Sequence, residues 1–202
     1  MELGCVVMAC GQGKRFTAAG GDGDKLLADL AGMPLIVHTV ASVPSDIYEV
    51  VLSVRSQWVG AAVGLASLSA APVYHGAAYP PRSIALRGAL AYGIDRWDGC
   101  LFLPGDQPLV SDASFRALAD AFAADPTRAY RLSWQGTPGS PVLFPRSCFS
   151  ALMALTGSEG GGEVLRRGNV PVSLVEARDA AELWDIDTPE DLDRAARYLV
   201  GE

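Results

Sequence analysis

Three short stretches of this chain carry residues suited to holding phosphate and a divalent cation. The first, Gly4-Cys-Val-Val-Met-Ala-Cys-Gly-Gln-Gly-Lys-Arg-Phe16, leads an apolar strand into a glycine turn and on to Lys14 and Arg15, with Lys25 following. Bare backbone amides in such a turn approach phosphate oxygens, and the three cations form a collar around them. The second stretch, Leu103-Pro-Gly-Asp-Gln-Pro108, and the third, Trp184-Asp-Ile-Asp-Thr-Pro-Glu-Asp191, offer the carboxylates of Asp106 and Asp187. Carboxylates at the carboxyl ends of parallel strands stand where open sheets bind ligands, and a pair of them supplies hard oxygen ligands for magnesium. Each stretch also has an ordinary reading: a lone Gly-x-Gly is a tight turn, Asp106 a turn aspartate and Asp187 a helix cap. Their combination points instead to a nucleoside triphosphate site.

The two commoner phosphate loops do not fit. A Walker A loop requires a glycine where Met8 stands and a hydroxyl residue where Arg15 stands. A dinucleotide fingerprint requires a third glycine at the position of Phe16. No Gly-x-Ser-x-Gly elbow nominates a protein nucleophile. His38 and His75 lack metal-ligand partners at helical spacing, so both are expected to be structural. Cys10 is expected to be a small filler, and Trp58, Trp97, Trp134 and Trp184 to pack in the core or at its rim.

With 202 residues, half of them hydrophobic and 19% charged, the chain suffices for one well-buried domain, expected over residues 1–202. A net charge of −7 and the absence of any Lys/Arg run argue against a nucleic-acid partner. Cys5, Cys10, Cys100 and Cys148 form no Cys-x-x-Cys pair, so neither a zinc site nor a disulfide framework is indicated. No apolar stretch approaches the roughly 20 residues needed to span a bilayer, and the N-terminus lacks a basic leader, so a cytoplasmic protein without a membrane partner is expected.

Short Val/Ile/Leu-rich runs alternate with amphipathic segments, the pattern of parallel strands joined by helical crossovers in an α/β fold. Strands are expected over Leu3–Met8, Glu49–Val54, Pro72–His75, Gly99–Leu103, Ala129–Trp134, Pro141–Phe144 and Val170–Glu176. Helices are expected over Pro34–Val43, Gln57–Ser69, Ser83–Asp95, Asp112–Ala124, Arg146–Leu155, Gly161–Arg167 and Pro189–Val200. Asp187 or Thr188 caps the last of these, and Pro189 suits its first turn. Thr17–Asp24 reads as a small-residue loop, mobile until a ligand binds, and Tyr79–Arg82 as a stiff turn.

The ordered set Met8-Ala-Cys-Gly-Gln-Gly-Lys-Arg-Phe16, Lys25-Leu-Leu, Gly105-Asp-Gln-Pro, Pro138-Gly-Ser-Pro-Val-Leu-Phe and Asp185-Ile-Asp-Thr-Pro-Glu-Asp resembles the molybdenum cofactor nucleotidyltransferases, most closely the cytidylyltransferase branch. The resemblance runs from Leu3 to Tyr198. It implies a three-layer, Rossmann-like, glycosyltransferase-A-type nucleotide-diphospho-sugar transferase fold with a mostly parallel sheet. It also implies transfer of CMP from CTP to molybdopterin, with release of pyrophosphate and with Mg2+ as cofactor. By the same resemblance Ala9, Cys10, Gly11, Gln12, Gly13, Arg15, Lys25 and Ser83 bind the nucleotide, with Arg82 as a further cation. Asp106 and Asp187 hold the metal, Gly139, Ser140 and Pro141 meet the acceptor, and Lys25, Arg15 and Asp106 act in catalysis. A molybdoenzyme or chaperone is the implied transient partner. The chain departs from the family pattern at Cys10, where relatives carry alanine or glycine, at Ser140, where they commonly carry histidine, and around Gly76–Ser83. Guanylyl transfer, sugar-phosphate nucleotidyl transfer on the same fold, and non-catalytic carriage of the pterin are the alternatives.

Overall fold

The seven residues Leu-Gly-Cys-Val-Val-Met-Ala form β1 (Leu3–Ala9), nearly all buried, as a strand flanked on both edges and covered on both faces must be. The computed structural model describes residues 1–76, 79–168 and 170–201. After β1 come α1 (Lys14–Ala18), a two-stranded hairpin of β2 (Asp29–Leu30) and β3 (Met33–Pro34), α2 (Leu35–Ala41), β4 (Tyr48–Val54), α3 (Gln57–Leu65) and β5 (Ala71–Tyr74). The chain continues through α4 (Arg82–Ala91), β6 (Gly99–Pro104), α5 (Asp112–Ala124), β7 (Ala129–Trp134), β8 (Thr137–Pro145), α6 (Phe149–Met153), α7 (Gly161–Arg166), β9 (Val172–Glu176) and α8 (Pro189–Val200).

The main sheet has seven strands in the order β5-β4-β1-β6-β8-β7-β9. The β5/β4, β4/β1, β1/β6 and β7/β9 pairs are parallel, so the sheet is mostly parallel, as expected. It is not wholly so: β8 runs antiparallel to both β6 and β7. β8 also begins at Thr137, four residues before the expected Pro141, because Gln135 and Gly136, both at positive φ, close a two-residue hairpin from β7. One core, including Leu35, Ile36, Val59, Phe115, Phe122 and Ala195, fills one face of the sheet. A second, including Leu86, Trp97, Phe144, Phe149 and Val164, fills the other. The result is an α/β fold of three layers.

Sheet order reverses at β1: the chain steps outward through β4 and β5, then returns to lay β6 on the other side. Ligands bind at such switch points, beyond the carboxyl ends of the strands, and here those ends lead into Cys10–Gly13 and Gly105–Gln107. Gly105 lets the two turns meet, since its amide donates to the Met8 carbonyl at 3.0 Å and a Cβ there would lie 2.8 Å from that oxygen. Residues 77 and 78, within the expected Gly76–Ser83 segment, lie outside the described residues. Trp97 is fully buried as expected, whereas Trp58 is 67% exposed on α3 and packs in no core. Among the described residues no helix is long and apolar enough to cross a membrane.

β1 is also held from below. A Cβ at Gly4 would lie 2.3 Å from the Trp97 ring, which is enclosed on all sides. Gly4→Ala is therefore expected to lower stability by about 1–3 kcal/mol in urea unfolding, the usual effect of overpacking a dense core. An unchanged unfolding midpoint would count against this packing.

Candidate active site

The turn after β1 leads directly into the cations. Gly13 adopts the left-handed conformation, φ +63°, and starts α1, which carries Arg15 on its exposed side and buries Phe16. The expected mobile loop is better anchored than its composition implies. Residues 14–18 are helical, and the Gly21 amide donates to the Phe16 carbonyl at 2.9 Å, with no room for a side chain between Gly21 and the Phe16 ring. At the far end Asp24 caps a 3-10 turn, Lys25–Leu27, by accepting from the Leu26 amide at 3.1 Å. Lys25 is thereby turned inward and is only 8% exposed.

A buried ammonium requires counter-charges, and Lys25 finds both predicted carboxylates. Its Nζ donates to Asp106 Oδ2 at 2.6 Å and to Asp187 Oδ1 at 3.2 Å. Arg15 pairs with the other oxygen of Asp187 at 2.5 Å. A backbone bond joins the two acidic turns, the Ile186 amide donating to the Asp106 carbonyl at 3.0 Å with the Ile186 side chain fully buried beneath. The ordinary reading of Asp187 as a helix cap does not hold. Thr188 caps α8 in a reciprocal capping box with Asp191, whose carboxylate also accepts from the Asp187 amide at 3.1 Å, so the Asp187 side chain is left for the cations.

Sequence reasoning passed over one carboxylate of the same motif. Asp185 lines the cavity beside Asp106 and accepts from Gln107 Nε2 at 2.9 Å. Desolvation pushes its carboxyl above its ordinary pKa, the negative charges of Asp106 and Asp187 act in the same direction, and the Gln107 hydrogen bond opposes them. The Gln107 side chain is almost fully buried, and among the described residues its Oε1 has no hydrogen-bond partner. These hard oxygen donors suit magnesium or manganese. Among the described residues no three acidic, histidine or cysteine side chains converge tightly enough to enclose a metal unaided. Such a site fits a cation that takes its remaining ligands from water and substrate phosphates.

A cavity of about 920 Å³ opens beyond these turns, lined by Cys10, Gly11, Gln12, Arg15, Arg82 and Asp106 among others. Its far wall is β8, where side chains alternate: Ser140, Val142 and Phe144 face the cavity. Gly139 and Pro141 do not line it; the Gly139 carbonyl accepts from Arg131 Nε at 2.9 Å, and a Cβ there would strike Leu183. Ala9 is buried at the end of β1. Ser83 also lies behind the wall, 1% exposed, its hydroxyl donating to the Gly157 carbonyl at 2.9 Å. Cys10 is half-buried, its thiol donating to the Ser53 carbonyl at 3.3 Å, and burial pushes that thiol above its ordinary pKa. The histidines sit in structural bonds, His38 Nε2 with the Leu30 carbonyl at 2.6 Å and His75 Nε2 with Ser53 Oγ at 2.8 Å.

A family model described as the MobA-like NTP transferase domain matches residues 5–172. The chain belongs to that family. Purine catabolism protein PucB of Bacillus subtilis is 37% identical over 103 residues, 50% of this chain and 49% of PucB. The chain spans half or less of the length of the curated relatives it matches. Among solved structures, a nucleotidyl transferase from Methanothermobacter (Mth528) superposes with a TM-score of 0.79 at 26% identity, covering 99% of this chain and 98% of that one. Rv0371C of Mycobacterium tuberculosis H37Rv, solved in complex with manganese, superposes with a TM-score of 0.71 at 27% identity, covering 98% of this chain and 99% of that one.

In this MobA-like domain the charge around Asp185 has a measurable consequence. The folded chain holds the Asp185 proton more tightly than the unfolded chain does, so stability falls as pH rises through this group's titration. Asp185→Asn removes that penalty while keeping an acceptor for Gln107. Without added metal, the variant is expected to melt higher than the parent at neutral pH and no higher below about pH 4, where an unfolded aspartate is itself protonated. A melting difference independent of pH would remove the electrostatic explanation.

Proposed function

We propose that this domain is a magnesium-dependent nucleotidyltransferase that transfers CMP from CTP to a molybdopterin-type acceptor and releases pyrophosphate. The observation that carries this reading is the convergence of Arg15 and Lys25 on Asp106 and Asp187, with Arg15 and Asp106 lining a cavity that the Cys10–Gln12 turn also lines. In the reaction an acceptor phosphate oxygen forms a bond to the α-phosphorus, the bond from that phosphorus to the bridging oxygen breaks, and pyrophosphate leaves with the electron pair. Such transfers need alignment and charge neutralisation and no protein nucleophile.

The residues divide this work. Amides of the Cys10–Gly13 turn take the phosphates, and Lys25 and Arg15 offset the charge that grows on the departing pyrophosphate. Asp106 and Asp187 hold the divalent cation, which when bound neutralises phosphate oxygens and acts as a Lewis acid. Manganese bound to the related Rv0371C supports a metal of this type. Preference for CTP rests on Cys10, whose small side chain lines the cavity and leaves room for a base edge. Ser140 on the opposite wall faces the acceptor. We read residues 1–202 as one domain, supported by a single main sheet with a core on each face. Four free thiols fit a reducing cytoplasm, and a molybdoenzyme would receive the product.

Pyrophosphate release assayed with CTP, GTP and UTP, each with a pterin or a sugar-phosphate acceptor, tests the reading. Turnover is expected with CTP and the pterin; turnover only with GTP or UTP, or only with a sugar phosphate, would redirect it, and binding without turnover would make the protein a carrier. Lys25→Ala is expected to slow turnover by roughly a hundredfold to a thousandfold, as loss of a transition-state donor does; a near-normal rate would strip Lys25 of its role. Asp106→Asn is expected to shift the magnesium titration to higher concentration, and an unshifted titration would reject Asp106 as a ligand.

A further inference from the structure

Arg55 lies outside every motif identified in the sequence, yet its side chain joins three parts of the site. β1 and β4 are parallel with Ala9 opposite Val54, so the chain leaves both strands side by side and Arg55 follows β4 as Cys10 follows β1. The Arg55 side chain is 13% exposed. Its Nε donates to the Gly11 carbonyl at 2.9 Å. Its terminal Nη2 donates to Asp24 Oδ2 at 2.8 Å. Its guanidinium also lies over the ring of Tyr79, 5.1 Å from the centroid, and Tyr79 lines the cavity.

Two of these contacts bear on phosphate-binding groups. A trans peptide is planar, so a Gly11 carbonyl held towards Arg55 sends the Gln12 N–H out on the opposite side of that peptide. Asp24 uses one carboxylate oxygen for Arg55 and the other to cap the turn that begins with Lys25. One rigid guanidinium, with its fork of donors, thereby orients a turn amide and braces the lysine turn. We infer that Arg55 is a positioning residue which sets the Gln12 amide and the Lys25 ammonium in register for a single triphosphate. The inference rests on the nucleotidyl-transfer reading above and extends it to a residue that touches neither substrate.

Misplacing catalytic groups by about an ångström lowers rates by as much as a hundredfold. Arg55→Ala is expected to raise KM for the triphosphate and lower kcat/KM by about tenfold to a hundredfold. Arg55→Lys, which keeps the charge and loses the fork, is expected to recover only part of this. Asp24→Asn, which retains an oxygen to cap the Lys25 turn, tests the same link without emptying the Arg55 site and is expected to raise KM several-fold. The decisive readout is the combination of Arg55→Ala with Lys25→Ala. If Arg55 acts through Lys25, the double variant loses less than the product of the two single losses. Multiplicative losses, or Arg55→Ala and Asp24→Asn kinetics within twofold of a wild-type enzyme that itself turns over, would overturn the inference alone. Wild-type protein that neither binds nor turns over any triphosphate would overturn the nucleotidyl-transfer reading, and this inference with it.

Discussion

The ammonium of Lys25 is the tie on which the site depends. It bridges carboxylates 81 and 162 positions further along the chain, and its side chain is only 9% exposed. A charge so placed requires partners, and removing any one leaves the others poorly compensated. The glycine turn after β1, the acidic turn after β6 and the approach to α8 therefore form one electrostatic unit. The arrangement also holds two carboxylates side by side, with the lysine and Arg15 balancing their charge.

Around this tie the supports are mostly backbone. Gly105 permits the close approach of the β6 turn to β1, and the Ile186 amide fastens the third segment to the second. The Thr188–Asp191 capping box satisfies the start of α8 without drawing on Asp187. Side chains such as Arg55 and Asp24 then adjust the turns that the sheet has delivered. The division of labour follows from distance: strands set gross position, and charged side chains settle local orientation over the last few ångströms.

Much of this was legible in the amino-acid sequence, for identifiable reasons. β1, β4 and β6 are buried on both faces and so read as mainly apolar runs, interrupted only in β4 by Glu49 and Ser53. α5 and α8 begin where Ser111 and Thr188 cap them, and both matched their expected bounds. The β7–β8 hairpin was not foreseen: its loop is Gln135-Gly136, outside the usual Asn-Gly signal, and Thr137-Pro-Gly-Ser reads as loop although it pairs as strand. α1 has five residues, starts on a left-handed glycine and lacks a side-chain cap, so no local signal announces it. Of the predicted site residues, Arg15, Lys25, Asp106 and Asp187 converge through ion pairs, though only Arg15 and Asp106 of the four line the cavity, and Ala9, Gly13, Ser83, Gly139 and Pro141 do not line it. Strand alternation decides the last two, and which parity of β8 faces the cavity is set by its pairing with β6 and β7 rather than by its own residues. Asp185 was in plain view but its orientation was not, and Arg55 gains its role only when β4 is laid beside β1.

Calorimetric titration of CTP into the protein, with and without magnesium, tests the central claim most directly. One triphosphate per chain should bind more tightly in the presence of the metal, and replacement of Asp106 and Asp187 together by asparagine should abolish that metal dependence. Equal affinity with and without magnesium, or a metal response that survives the double replacement, would contradict a shared cation and triphosphate site built on this lysine-bridged pair of aspartates.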